Sequence, residues 1–263
     1  MLLPPLNLLD GEVHLWLTFP QQIHQTDLIR QYHAIMNPEE KKQQARFHFE
    51  KHRHQYLLTR ATIRTLLSRY HPTIPPEGWR FKKNEYGRPY LDHGDDTPQF
   101  LFNLTHTEGL IVCAIVKGRE IGVDAEDIQR GGDLVPIADR FFSPSEVQDL
   151  HKLPESEHIE RFFDYWTLKE SYIKARGMGL SIPLEQFSFH FGGSPDIRVT
   201  VDPAQNDPPG KWQFRQWRIG DRYKIALCLE KITGQTPLVK IRELIPGSSD
   251  KDYDLETLRN GFE

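Results

Sequence analysis

One segment of the chain places a tryptophan, a carboxylate and a lysine at four-residue steps. Trp166, Glu170 and Lys174 belong to a predicted helix, so their side chains share one helix face. A carboxylate can accept a proton and an ammonium can stabilise a departing anion, which makes this face a candidate for acid–base chemistry. The spacing alone favours a simpler interpretation, a surface Glu–Lys pair beside a core tryptophan, because such pairs are common.

A second candidate is a pair of carboxylates carried by a predicted strand over residues 120–125. Asp124 and Glu126 are two residues apart, so both side chains point to the same side of an extended chain. Like charges held this close repel unless a cation or a proton lies between them. Mg²⁺ held by carboxylates and by phosphate oxygens of a substrate would satisfy them. A solvated strand end is the alternative interpretation.

A third candidate is the polar step Thr105-His106, which follows Asn103. The pattern predicts a turn over residues 105–109, between the apolar strands 100–103 and 110–116. A hydroxyl, an imidazole and backbone amides in such a turn could contact a phosphate, although a lone histidine is more often a structural group.

The elements that must position these groups alternate between strands and helices. Residues 12–18 alternate polar and apolar side chains and predict a first strand, and helical patterns cover residues 21–36 and 43–70. Ser143-Pro144-Ser145-Glu146 is a capping box that begins a helix. A further helix over residues 160–176 ends at Gly177. Strands are predicted over residues 186–191, 197–201, 212–218 and 223–230, and the residues after 233 are interpreted as an appendage.

A weak internal similarity links two of these regions. Phe100-x-Phe102, a turn and LIVCAIV resemble Trp212-x-Phe214, a turn and KIALCLE, and each apolar strand has a cysteine near its centre. Chance similarity of two β-hairpins explains this, although it also fits a duplicated α/β unit. We predict an α+β protein of two similar α/β halves related by a pseudo-twofold axis, with the active site at their junction. The predicted domains are residues 1–118, residues 119–233 and the appendage 234–263.

Composition and charge limit the classes of protein that remain. The 263 residues are 38% hydrophobic and 27% charged, and the longest apolar run is seven residues, which is far short of a membrane span. Residues 41–90 hold twelve Lys and Arg against three Asp and Glu, a local charge of +9 in a chain of net charge −4. Such a block attracts nucleic acid, phosphorylated metabolites or acidic proteins, or forms a solvated helix face. No nucleic-acid-binding signature accompanies it, so we predict no nucleic-acid partner.

The two cysteines, Cys113 and Cys228, lie in apolar stretches, and the first residues lack a basic leader. These features predict a reduced, cytoplasmic compartment and no zinc site.

Five motifs in order resemble the 4′-phosphopantetheinyl transferases of the surfactin-synthetase-activating type, from about residue 37 to residue 230. They are Gly87-Arg88-Pro89, Asn103-x-Thr105-His106, Gly122-Val123-Asp124-x-Glu126, Trp166-x-x-Lys169-Glu170-Ser171-x-x-Lys174 and Gly177-x-Gly179-Leu180-Ser181-x-Pro183. Each motif is weak by itself, whereas all five in order are highly specific. The resemblance implies an enzyme that transfers phosphopantetheine from coenzyme A to a serine of an apo acyl or peptidyl carrier protein. It would require Mg²⁺, with Mn²⁺ as the alternative, and release adenosine 3′,5′-bisphosphate.

The resemblance also implies a role for each candidate residue. Asp124, Glu126 and Glu170 would hold the metal; Glu170, or Glu126 through a water, would accept the serine proton; and Lys174 would stabilise the departing bisphosphate. Thr105 and His106 would contact coenzyme phosphates. The nucleotide and its 3′-phosphate would be lined by the segment Lys83, Asn84, Glu85, Tyr86, Gly87 and Arg88, where Gly87 allows close backbone approach.

The sequence departs from the family at one point. Where the family often has basic 3′-phosphate contacts, this chain has Glu40 and Gln43, and Lys41, Lys42 or Arg46 could replace them. Two alternatives remain, another magnesium-dependent phosphoryl-transfer enzyme or a non-catalytic homologue that binds carrier proteins. We expect a monomer, since one chain supplies both halves. We also expect no membrane partner.

Overall fold

The computed structural model describes residues 3–92, 98–130, 132, 134–192 and 197–262, and these form two large β-sheets with long helices outside them. The helices are α1 (Thr26–Ile35), α2 (Pro38–Ala45), α3 (Glu50–Tyr70), α4 (Val135–Phe141), α5 (Pro144–His151) and α6 (Glu155–Arg176). The strands are β1 (Glu12–Thr18), β2 (Phe81–Lys83), β3 (Pro89–Leu91), β4 (Phe100–Thr107), β5 (Leu110–Lys117), β6 (Ile121–Asp127), β7 (Phe187–Phe191), β8 (Ile197–Val201), β9 (Trp212–Ile219), β10 (Tyr223–Glu230), β11 (Leu238–Ile245), β12 (Ser249–Asp252) and β13 (Glu256–Asn260). The α+β class is confirmed.

The first sheet has the strand order β12-β11-β1-β5-β4, and α3 covers its outer face. Its strand β5 contains the long apolar run and is buried on both faces, as an unbroken run of apolar residues requires. Cys113 and Ile115 lie in one core cluster with Leu66 of α3. The alternate residues Val112 and Ala114 point to the opposite face.

The second sheet has the strand order β13-β9-β10-β6, and α6 covers its outer face. Cys228 of β10 lies in one core cluster with Leu168 and Tyr172 of α6. The inner faces of both sheets share a central core, in which Val112 of the first sheet joins Leu227 of the second. The layers therefore run helix, sheet, sheet, helix.

This arrangement confirms two similar halves. In each half a long helix covers a hairpin whose second strand carries the central cysteine, α3 over β4–β5 and α6 over β9–β10. Cys113 and Cys228 occupy equivalent positions, because each is buried on the face that its own helix covers. The similarity between the two apolar strands thus reflects repeated architecture.

Two predicted boundaries were wrong. The helix predicted over residues 43–70 is two helices, because α2 ends at Ala45 and the Arg53 guanidinium donates to the carbonyls of Phe47 and His48 in the connection. The turn predicted over residues 105–109 is confined to Glu108-Gly109, since Thr105 and His106 pair with β5 as part of β4. Cross-strand pairing, which local polarity does not reveal, extends the strand.

The segment after residue 233, interpreted from the sequence as an appendage, supplies strands to both sheets. β11 pairs in parallel with β1, β12 pairs with β11, and β13 pairs with β9. Buried polar groups depend on it, since Lys240 pairs with Glu12 and the Thr18 hydroxyl donates to Leu244 O at 3.1 Å. Without β11, β1 would be an open edge.

Two predicted helix boundaries are confirmed by their capping geometry. Ser143 and Glu146 form the reciprocal capping box that begins α5, and Gly177 ends α6 in the left-handed conformation at φ 68°. Among the helices in the described residues, none is both long and apolar enough to cross a membrane.

Candidate active site

The two halves meet where β4 of the first sheet faces β6 of the second. β6 pairs with β10 along one edge only, and side chains of β4 satisfy backbone groups along its other edge. Asn103 Oδ1 accepts from Val123 N at 2.9 Å, and Thr107 Oγ1 accepts from Asp127 N at 3.2 Å. The asparagine of the Asn-x-Thr-His motif is therefore a connector between the halves.

Gly122 determines how closely α6 lies on β6. A Cβ at this position would stand 2.0 Å from Ser171 O and 2.4 Å from Ala175 N, so only glycine allows the helix backbone to lie against the strand. This contact brings the face of α6 that carries Lys174 next to Asp124. The glycine that precedes the two carboxylates thus explains part of the sequence motif.

Asp124, Lys174 and Thr105 form a closed group at this junction. Lys174 Nζ donates to Asp124 Oδ1 at 2.6 Å and to Thr105 Oγ1 at 3.0 Å, and the Thr105 hydroxyl donates to Asp124 Oδ1 at 3.1 Å. Asp124 is 4% exposed, and its second oxygen, Oδ2, is buried without a hydrogen-bond partner. One acceptor position of this carboxylate is therefore unsatisfied by the protein.

Glu126 lies on the same face of β6 and is held by two donors. Trp166 Nε1 donates to its Oε1 at 3.0 Å, and an Arg130 guanidinium nitrogen lies 2.9 Å from its Oε2. Burial and the nearby charge of Asp124 raise the pKa of Glu126 to about 7, although Arg130 and Trp166 oppose the shift. The sequence analysis missed Arg130, which comes directly after the turn that follows β6; an i, i+4 spacing indicates proximity only on a helix, so local spacing gave no signal for it.

Glu170 lies between Trp166 and Lys174 on the same helix face, as the spacing predicted. Burial and the charge of Asp124 raise the pKa of Glu170 to about 7, and Lys174 acts in the opposite direction. Three carboxyl groups from β6 and α6 thus share one neighbourhood, in which the charge of Asp124 raises the pKa of both glutamates. A surface Glu–Lys pair, the simpler interpretation, does not describe this arrangement, because both side chains are half-buried and Lys174 pairs with Asp124.

The chemistry of these groups fits a hard divalent cation. Carboxylate oxygens are the ligands that Mg²⁺ and Mn²⁺ prefer, and the unsatisfied Asp124 Oδ2 and the two raised pKa values mark a site short of positive charge. Within the described part of the chain, no group of three or more His, Cys, Asp or Glu side chains is already arranged as a metal cage. The predicted set Asp124, Glu126 and Glu170 stays a prediction.

His106 borders a cavity of about 630 Å³ beside this group. The cavity is also lined by His52, Gln55, Glu126 and Arg130, so it connects α3 of the first half with β6 of the second. The imidazole of His106 keeps an exposed surface, yet burial by neighbouring elements and the charge of Lys174 lower its pKa. The lowered pKa favours the uncharged ring, which donates a hydrogen bond from one nitrogen and accepts one at the other.

The hairpin β2–β3 carries the predicted nucleotide-binding segment. Lys83, Glu85, Tyr86 and Gly87 are exposed, and Gly87 adopts φ +91°. Asn84 and Arg88 instead point inward, toward α6 and β6.

A second cavity of about 780 Å³ lies beside the hairpin and is lined by Lys42, Gln43, Arg46, Arg60 and Lys83, among others. Glu40, at the position where the sequence departs from the family, is buried and pairs with Arg60 and Arg64. Its charge is thereby compensated within the protein. Arg60 is a second cationic residue near the predicted nucleotide segment that the sequence analysis did not assign to the site.

Two family models match consecutive parts of the chain. One, described as the 4′-phosphopantetheinyl transferase superfamily, matches residues 120–228. The other, described as 4′-phosphopantetheinyl transferase, N-terminal, matches residues 24–117. The boundary between the matches lies at the junction of the two halves.

Proteins named as 4′-phosphopantetheinyl transferases are similar to most of the chain. The 4′-phosphopantetheinyl transferase HetI of Nostoc sp. is 33% identical over 201 residues, which are 76% of this chain and 83% of that protein. The 4′-phosphopantetheinyl transferase Sfp of Bacillus subtilis is 30% identical over 195 residues, 74% of this chain and 82% of that protein.

Proposed function

Because the chain belongs to the 4′-phosphopantetheinyl transferase family, we propose that it transfers phosphopantetheine from coenzyme A to a serine of an apo acyl or peptidyl carrier protein. In this reaction the serine oxygen forms a bond to phosphorus, the pyrophosphate bridge breaks, and adenosine 3′,5′-bisphosphate leaves. The observation that carries the proposal is the Asp124–Lys174–Thr105 group beside Glu126 and Glu170. It combines acceptors for a proton with a fixed cation, which phosphoryl transfer requires.

Glu170 is the proposed general base for the serine hydroxyl. A base is most effective when its pKa lies near the working pH. Without a bound cation, burial and the charge of Asp124 raise the pKa of Glu170 to about 7, and a cation held by the same carboxylates would lower it again. Glu126 has a similarly raised pKa and could take the proton through a water. The indole of Trp166 holds Glu126 in a fixed direction.

Lys174 is the proposed stabiliser of the departing bisphosphate. Its ammonium is already oriented by Asp124 and Thr105, so little reorganisation accompanies the movement of charge during the reaction. The neutral imidazole of His106 and the Thr105 hydroxyl would contact the coenzyme phosphates. The basic cavity near Arg46 and the exposed side of the β2–β3 hairpin would take the nucleotide and its 3′-phosphate.

Asp124, Glu126 and Glu170 would hold Mg²⁺, or Mn²⁺ as an alternative. The bound cation would neutralise charge on the pyrophosphate oxygens. The unsatisfied Asp124 Oδ2 and the raised pKa values of both glutamates support this assignment.

Intact-mass spectrometry tests the proposal. Apo carrier proteins from fatty-acid, polyketide and nonribosomal-peptide systems are incubated with the protein, coenzyme A and Mg²⁺. We expect a gain of one phosphopantetheine that EDTA abolishes and that Asp124→Asn reduces at least about a hundredfold. Asp221→Asn, at an exposed surface carboxylate, is the matched control and should transfer normally.

The failing outcomes separate the alternatives. Coenzyme A binding without transfer to any carrier would favour a non-catalytic homologue. Neither binding nor transfer would contradict the proposed substrate. Activity on nucleic acid without coenzyme A would favour another magnesium-dependent enzyme. We further propose a cytoplasmic monomer, which size-exclusion chromatography with light scattering and cell fractionation would check.

A further inference from the structure

Two side chains of the β2–β3 hairpin bind the C-terminal end of α6. Asn84 Nδ2 donates to Gly177 O at 2.7 Å, and Arg88 Nη1 donates to Ala175 O at 2.9 Å. Carbonyls at this end of a helix have no partner within the helix, so donors from elsewhere must satisfy them. The positive charge of Arg88 also interacts favourably with the negative, C-terminal end of the helix dipole.

The same guanidinium also reaches the beginning of β6. Arg88 Nη2 donates to Ile121 O at 3.2 Å, and Nη1 donates to Glu120 Oε2 at 2.6 Å. The preceding carbonyl, Glu120 O, points toward β10, where it accepts from Glu230 N. Backbone groups of successive strand residues point to opposite edges, so Ile121 O faces the edge of β6 that β4 and the hairpin cover. The side chain of Arg88 is only 16% exposed. One buried cation thus bridges α6 and β6.

Asn84 sets the conformation that allows this bridge. Its Oδ1 accepts from Tyr86 N at 3.0 Å and from Arg88 N at 2.8 Å, so it closes the turn between β2 and β3. Its amide nitrogen donates to Gly177 O, so the oxygen of the side chain binds the turn and the nitrogen binds the end of α6. The turn and the end of α6 are therefore held by one residue.

From these contacts we infer that Arg88 and Asn84 are positioning residues for Lys174. α6 carries Lys174 and β6 carries Asp124, and Arg88 bonds to the backbone of both elements within three residues of these side chains. The bridge fixes the position of the ammonium relative to the carboxylate. This inference rests on the proposed function and differs from the nucleotide-contact role that the family resemblance implies. Both terminal nitrogens of the Arg88 guanidinium, and both polar atoms of the Asn84 side chain, are engaged by the protein.

Steady-state kinetics of transfer with two Arg88 variants tests the inference. Arg88→Lys retains the charge but lacks the planar fork of donors, and Arg88→Met removes both. We expect kcat to fall about 10- to 100-fold in both variants, because small displacements of a catalytic group have effects of this size. KM for coenzyme A should stay within about threefold. Arg30→Met, at an exposed arginine of α1 that pairs with Asp27, is the control.

A double-mutant cycle separates positioning from a general loss of stability. In the Lys174→Met background, the further change Arg88→Met should lower kcat by less than about threefold, since the residue that it positions is gone. A full additional loss in that background would overturn the inference. So would a KM for coenzyme A that rises more than about tenfold with kcat unchanged, which would identify a nucleotide contact.

Amide hydrogen exchange gives a readout that does not depend on transfer. In Arg88→Met and in Asn84→Ser, we expect the amides of residues 173–177 to exchange at least about tenfold faster than in the control variant. Unchanged protection there would overturn the inference even if the protein transfers phosphopantetheine. Faster exchange in a protein without transfer activity would instead contradict only the proposed function.

Discussion

Replacing Glu170 by glutamine should stabilise the protein at alkaline pH while removing the proposed base. The folded state raises the pKa of Glu170 from 4.5 to about 7, through burial first and the charge of Asp124 second. The folded protein therefore holds this proton more tightly than the unfolded chain. Stability gained from the protonated side chain is complete below pH 4.5 and is lost as the pH rises through 7.

The magnitude follows from the same pKa. A tenfold change in proton affinity corresponds to about 1.4 kcal/mol, so ionised Glu170 costs the folded state up to about 3 kcal/mol above pH 7. Because the side chain keeps some exposure, screening by solvent reduces this to about 1 to 2 kcal/mol. Glutamine has the same shape and no charge, so the variant should melt about 3 to 6 °C higher at pH 8.

The assay is thermal unfolding of both proteins without divalent cations, at intervals from pH 5 to pH 8. The advantage of Glu170→Gln should be small at pH 5, grow toward pH 7 and then level off. Glu185→Gln, at an exposed carboxylate, should show no such pH dependence. A variant that melts at or below the native temperature at pH 8, or a difference that is constant from pH 5 to pH 8, would refute the electrostatic argument.

Three further outcomes are expected. The affinity for Mg²⁺ should rise from pH 6 to pH 8 and binding should release protons, because Glu126 and Glu170 have pKa values of about 7 in the metal-free protein. Titration calorimetry in two buffers of different ionisation enthalpy measures the released protons, and an affinity that does not change with pH would contradict the prediction. Gly122→Ala should lower the free energy of unfolding, measured in urea, by at least about 3 kcal/mol, because the added Cβ would overlap the backbone of α6. Gly118→Ala is the control: open space surrounds this position, so the loss should be about 1 kcal/mol, and equal losses in the two variants would argue against close packing at Gly122. Deletion of residues 234–263 should leave an unfolded or aggregated chain by circular dichroism and light scattering, and a cooperatively folding product would show that β11 is dispensable.

Local spacing in the sequence determined which residue types could act together. Trp166, Glu170 and Lys174 share a helix face because an α-helix repeats every 3.6 residues, and Asp124 and Glu126 share a strand face because a strand repeats every two. Helix ends at Ser143 and Gly177 were predictable for the same reason, since capping depends on a few neighbouring residues.

Boundaries that depend on pairing were less predictable. Thr105 and His106 are polar enough to suggest a turn, yet hydrogen bonds to β5 keep them in a strand. The segment 234–263 lacks an obvious link to residue 12, and its parallel pairing with β1 appears only when the chain has folded. Local polarity carries no information about a partner strand more than two hundred residues away.

The chemistry of the site was decided by tertiary structure. The way α6 lies on β6 decides that Glu126 accepts the hydrogen bond of the Trp166 indole. It also decides that Asp124 Oδ2 is buried without a hydrogen-bond partner. The raised pKa values of Glu126 and Glu170 have the same origin, since desolvation and charge interactions act through space. The sequence by itself determined the candidate groups and their faces, whereas only the packing of the two halves decided their partners, their charges and the inward direction of Arg88.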